Sequence, residues 1–151
     1  HLDYLTTKLD RYPLDQLINS LSEIIKEVRP TTILIPNRCD VHSDHRIVFD
    51  AIYSCTKNFR YPYIKKILMY ETLSETEFAP CVSDRIFLPN YFVDITVEFC
   101  TKIEIMKLFS TEQMEEPYPR SLSSIEALAR YRGSRIGVRY AEAFQLLLEI
   151  E

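Results

Sequence analysis

Apolar residues recur at Leu14, Leu17, Ile18, Leu21, Ile24, Ile25 and Val28, the spacing of three and four that keeps one face of a helix apolar. Pro13 stands near the first turn and Pro30 just past the last, positions where proline opens or stops a helix without breaking it. Thr32-Ile33-Leu34-Ile35 follows, a short apolar run closed by Pro36 and long enough for a buried parallel strand. A second helix is predicted from about Ser43, with Ile47, Val48, Ala51, Ile52 and Cys55 on one face, and a second strand over residues 64–70. Helix, strand, helix, strand is the order of a parallel sheet covered by helices.

Beyond residue 70 the pattern changes. Residues 71–78 are polar and have no helical face of useful length. Residues 91–95 predict a short strand. Phe99, Ile103, Met106 and Leu108 predict a helix over about 96–109, and Ile125, Leu128 and Ala129 another over 121–135. The tail from 138 to 150 fits a strand or a helix. No internal repeat, low-complexity segment or linker interrupts the chain, which reads as a single domain over residues 1–151. The expected fold class is α/β, with a Rossmann-like, mostly parallel sheet and helices on both faces.

Composition narrows the function classes. A hydrophobic content of 46% in 151 residues supplies a core for one domain. The formal net charge of -4 lacks the basic stripe of a nucleic-acid binder. Runs such as Leu146-Leu147-Leu148 are far too short to cross a bilayer. Cys39, Cys55, Cys81 and Cys100 form no C-x-x-C pair, which favours a reducing, cytoplasmic setting. Cys55 and Cys100 fall in apolar helical patterns and are expected to be buried small hydrophobes. The chain opens on His1 rather than Met and holds only 2 glycines, with no glycine-rich first turn. Both features lead us to expect that the N-terminal strands of the sheet lie outside this chain.

The chemistry concentrates in Asp40-Val41-His42-Ser43-Asp44-His45-Arg46, directly after a predicted buried strand and at the start of a helix. Binding sites of open α/β sheets form at the carboxyl ends of strands. Two of the chain's 3 histidines stand here, three residues apart, so that both can face one cleft. Imidazole is a common metal ligand, and a neighbouring carboxylate fixes its tautomer. A histidine beside a metal, paired with Asp44, can also act as a general acid or electrostatic stabiliser. The plainer reading is a helix start, since Ser and Asp are ordinary capping residues.

Residues 36–46, P-N-R-C-D-V-H-S-D-H-R, resemble the second signature of the PIG-L/LmbE family of zinc-dependent N-acetylglucosamine deacetylases, a D-x-H-x-D-H opening a helix. The resemblance continues in family order through Tyr91-Phe92-Val93-Asp94-Ile95-Thr96, Pro117-Tyr118-Pro119-Arg120-Ser121, the A-L-A-R-Y-R-G of residues 127–133 and Tyr140-Ala141-Glu142-Ala143-Phe144. It implies His45 as a metal ligand and His42 as the group that stabilises the oxyanion or protonates the leaving amine. It also implies Asp44 as the partner of His42 and Asp40 at the mouth of the site. The family's first signature, A-H-P-D-D-E, does not occur here, and His1 does not match it. Two further zinc ligands and the general base would therefore come from a preceding segment.

Other polar residues have plainer readings. Glu71, Glu75 and Glu77 suit a solvated loop, with Glu71 a candidate sugar contact. Tyr61-Pro62-Tyr63 could stack on a sugar but suits packing or a turn better. Arg130 suits a helix-face salt bridge, while Arg120 stays open. Glu142 lies between apolar neighbours and needs a partner, an arginine or a substrate hydroxyl. Asp40, Arg46, Glu71 and Glu142 are thus the candidate substrate contacts, His42 and Asp44 the candidate catalytic pair, and His45 the metal ligand.

The expected function is zinc-dependent removal of an acetyl group from an N-acetylated amino sugar or its glycoconjugate, with this chain alone inactive. The alternative is a metal-free sugar- or nucleotide-sugar-binding module. The partners are the N-acetylated sugar or glycoconjugate and neither nucleic acid nor a membrane span, and assembly into a homo-oligomer stays open.

Overall fold

The computed structural model describes residues 2–82 and 86–151. They form two compact units, His1–Leu88 with Gln145–Glu151, and Pro89–Phe144.

In the first unit a short 3-10 helix, Leu9–Arg11, precedes α1, Leu14–Val28. The helix ends where Arg29 turns left-handed, at φ 51°, and returns its N–H to the Ile25 carbonyl; Pro30 cannot continue it. β1, Thr32–Pro36, alternates, with Ile33 and Ile35 buried and Leu34 about half exposed. A strand buried on both faces was expected here, and Leu34 departs from that. α2, Ser43–Tyr53, buries Phe49 and Ala51. β2, Lys66–Tyr70, runs parallel to β1, pairing Thr32 with Lys66 and Pro36 with Tyr70. Their core joins Ile25, Ile33, Ile35, Phe49, Cys55, Tyr61, Ile64, Ile67 and Met69. Each Ile, Phe or Met among them contributes about 1.5–3 kcal/mol through loss of water contact. Tyr61 is a packing residue, its hydroxyl 2.8 Å from that of Ser22, and Tyr63 donates to the Ile25 carbonyl at 2.9 Å.

In the second unit β3, Tyr91–Asp94, pairs antiparallel with the first half of β4, Ala141–Glu149. α3, Phe99–Leu108, and α4, Leu122–Ser134, complete it. Ser121 caps α4 by accepting from the Ser124 N–H. Its core is Ile95, Phe99, Ala129 and Tyr140, with the Phe99 and Tyr140 rings stacked 3.8 Å apart. Tyr140 donates to Glu126 at 2.8 Å and Arg130 pairs with the same carboxylate at 2.7 Å, which together hold it below the usual carboxylate range. Arg130 thus makes the helix-face bridge its spacing predicts. Cys100, expected to be buried, is exposed, because α3 buries only Phe99.

The second half of β4 belongs to the first unit, where Ile150 N–H donates to the Lys65 carbonyl and Glu149 pairs with Lys66 at 2.7 Å. The strand order is β1-β2-β4-β3. The sheet is therefore mixed, β1 pairing parallel with β2 and β3 antiparallel with β4, where the first two strands led us to expect a mostly parallel one. The antiparallel pair comes from the tail whose pattern was ambiguous.

Candidate functional site

The loop from Pro36 to Ser43 leaves the carboxyl end of β1, beside the end of β2 that β1's parallel pairing places next to it. Asp40 organises it. The side chain is fully buried, at 0% exposure, and both carboxylate oxygens are engaged. Oδ2 lies 2.7 Å from His45 Nδ1, and Oδ1 accepts from the Thr76 hydroxyl at 2.7 Å. Asp40 therefore does not sit at a mouth; it lies beneath the histidine. An ionised carboxylate can only accept, so the pairing selects the His45 tautomer with its proton on Nδ1. Nε2 then carries the free lone pair on a ring that is partly exposed.

His42 is tied in the opposite sense. It is the N-cap of α2, and its Nδ1 accepts from the Asp44 backbone N–H at 3.1 Å. A ring capping through Nδ1 carries its proton on Nε2, where it is a donor. The two rings lie 5.2 Å apart, centroid to centroid. One neighbour thus presents a lone pair and the other a hydrogen.

Asp44 touches His42 through its backbone, and its carboxylate goes elsewhere. It is buried and accepts from Thr7 N–H at 2.6 Å and Leu9 N–H at 3.3 Å, pinning the segment before α1 onto the start of α2. Thr7 itself holds a positive φ of 60° there. A side-chain partnership between Asp44 and His42 was the expectation, and the geometry gives the carboxylate a different task. Arg46 is exposed at the surface of the same turn, where its Nη1 donates to the carbonyls of Asp40 and Val41 at 2.7 and 2.6 Å. It braces the loop backbone.

The segment after β2 closes the site on another side. Val41 N–H donates to the Glu75 carbonyl at 3.2 Å, and Thr76 also accepts from Thr72 N–H at 2.8 Å. Glu71, at intermediate exposure, follows β2 directly. Burial, reinforced by the nearby Asp40 charge, pushes the Tyr70 phenol up, which keeps it protonated as a potential donor. Two buried polar atoms, Asn37 Nδ2 and Thr72 Oγ1, have no hydrogen-bond partner among the described residues. Orphans of this kind are uncommon in packed interiors and call for a role. Thr76, Tyr70 and Asn37 were not singled out from sequence; the only signal was that Tyr70 ends β2, Asn37 follows β1 and Thr76 lies in the segment after β2. Glu142 lies in the second unit and pairs with Lys102, a lysine where an arginine or a substrate hydroxyl was expected. Arg120, in the same unit, donates to the Glu112 carbonyl at 2.7 Å.

Among the described residues no three His, Cys, Asp or Glu side chains converge as a metal-binding group. His45 fits one ligand position, since its second nitrogen is already held by a carboxylate, the usual outer partner of a metal-bound histidine. No helix among the described residues is long and apolar enough to cross a membrane.

Residues 1–56 match the PIG-L family, described as GlcNAc-PI de-N-acetylase. No curated protein matches the chain by sequence. Several solved structures share its fold. The N,N'-diacetylchitobiose deacetylase of Pyrococcus horikoshii has a TM-score of 0.71 at 20% identity, over 97% of this chain and 56% of that one. The conserved protein TT1542 of Thermus thermophilus scores 0.72 at 20% identity, over 98% and 64%. The A40926 pseudoaglycone deacetylase Dbv21 scores 0.61 at 18% identity, over 91% and 60%. The chain thus spans 56–64% of the length of these structures.

Proposed function

We propose that this chain forms one wall of the active site of a zinc-dependent deacetylase that removes acetyl from an N-acetylated amino sugar or its glycoconjugate. The observation that carries the reading is the opposite tethering of two neighbouring imidazoles, His45 through an Nδ1–H held by Asp40 and His42 through an Nδ1 that accepts from Asp44 N–H. The PIG-L match over residues 1–56 and two deacetylases among the similar structures support it. The four free cysteines fit a reducing compartment.

His45 would hold the metal through Nε2. Catalytic zinc takes three protein ligands, so two more, with the general base, would come from sequence outside these residues. When bound, zinc supplies Lewis acidity, polarising the acetamide carbonyl and lowering the pKa of water to about 7. The remaining work falls to this chain. Asp40 keeps the His45 lone pair on Nε2. His42 offers its Nε2–H to the oxygen on which negative charge develops, and can pass that proton to the departing amine. Glu71, beside β2, would meet sugar hydroxyls.

The test separates the two histidines in the full-length protein. Metal content is measured beside acetate release from N-acetylglucosamine conjugates. His45→Ala should lose both metal and activity. His42→Ala should retain metal and lose about 10²–10³ in kcat, the scale of one oxyanion donor. Equal metal loss in both variants would refute this division of roles. Sugar binding without acetate release in the unmutated protein would point to the metal-free binding module.

A further inference from the structure

The support of His45 does not stop at Asp40. His45 Nδ1 meets Asp40 Oδ2, and the other carboxylate oxygen accepts from the Thr76 hydroxyl, each at 2.7 Å. Thr76 Oγ1 in turn accepts from Thr72 N–H at 2.8 Å. An amide N–H can only donate, so it occupies a lone pair of Thr76 and leaves the hydroxyl hydrogen for the carboxylate. Every link then has one polarity: Thr72 to Thr76, Thr76 to Asp40, His45 to Asp40. Because Asp40 is 0% exposed, bulk water cannot take over from Thr76. The backbone bond from Val41 N–H to the Glu75 carbonyl, at 3.2 Å, holds the two loops in this register.

We infer that Thr76 is a positioning residue for His45, acting through Asp40. Its hydroxyl fixes the Asp40 carboxylate, and that carboxylate fixes the tautomer and ring orientation of His45. Outer partners of a metal-bound histidine set both properties and weigh on metal affinity. The inference rests on the proposed reading of His45 as a ligand, but the tautomer can be read without any metal.

Imidazole ¹⁵N spectra of the full-length, metal-free protein should show His45 with its proton on Nδ1. Thr76→Ser should keep that tautomer. Thr76→Val and Thr76→Ala should give a mixture of tautomers, and zinc affinity measured against a chelator should fall about 10–100-fold in both, with Ser near the parent. The alanine variant removes the hydroxyl without an added methyl, so steric crowding cannot produce its effect. A parent that binds no zinc, yet loses the tautomer in Val and regains it in Ser, sinks the metal reading and leaves the role of Thr76 standing. Parental tautomer and affinity in both Val and Ala overturn the inference. So does a Ser variant as damaged as Val, because the hydroxyl would not be what matters. Loss of fold in both Val and Ala also overturns it, since Thr76 would then hold the structure and not one side chain.

Discussion

Asp40 and Asp44 have the same functional group, four residues apart, and do different things with it. Asp40 gives both oxygens to side chains of the site, His45 and Thr76. Asp44 gives both to backbone N–H groups of an earlier segment, Thr7 and Leu9. A substitution at Asp44 should therefore act on stability before it acts on metal. Asp44→Ala leaves two amides without their acceptor, which costs on the order of 1–3 kcal/mol. Asp44→Asn keeps one acceptor oxygen and should lose less. Urea unfolding of the three proteins checks the order, and metal content should stay at the parental level in both. A variant that unfolds like the parent would show that these contacts contribute nothing. The D-x-H-x-D-H pattern alone gave no way to separate the two aspartates, because the distinction depends on partners 35–37 residues away for Asp44 and 36 residues away for Asp40.

At the scale of elements, the turn from α4 to β4 uses both glycines of the chain. Gly137 holds a φ of 76°, a region L side chains rarely enter. Gly133 has another reason: a Cβ there would lie 2.6 Å from the Val138 carbonyl oxygen and 3.0 Å from the carbonyl of Arg139. Those contacts are backbone and cannot swing aside. Gly133→Ala should destabilise the protein by about 1–3 kcal/mol, read as a shifted unfolding midpoint. A midpoint unchanged or raised would mean the turn has slack. Helix α1 was legible to its last residue, because its apolar face is long and prolines flank it. β4 was not. Its Ala141–Glu149 carries three leucines in a row beside isolated polar residues, and pairing with β3 settles what local pattern leaves open. α3 was legible as a helix but not in its buried face, since Leu108 fits the helical pattern yet is exposed. Thr76 was illegible because its link to Asp40 exists only once β1 and β2 lie side by side.

For the whole molecule the expected zinc behaviour follows from the donor set. The described residues gather no group of three ligands, and His45 offers a single nitrogen. The 151-residue chain by itself should therefore bind zinc weakly. Isothermal titration decides it, and tight one-to-one binding would mean that the proposed assignment of ligands is wrong. The contacts of Asp44 also bear on how this sequence can be recombined. The residues before α1 and the turn that carries both histidines are written more than thirty positions apart, yet they meet through one carboxylate. A chimera with its crossover anywhere between Leu9 and Asp44 would join an early segment shaped for one acceptor to a histidine turn shaped for another. Crossovers placed beyond α2 keep that match, so functional exchange with a similar protein should tolerate junctions there and fail at junctions inside α1.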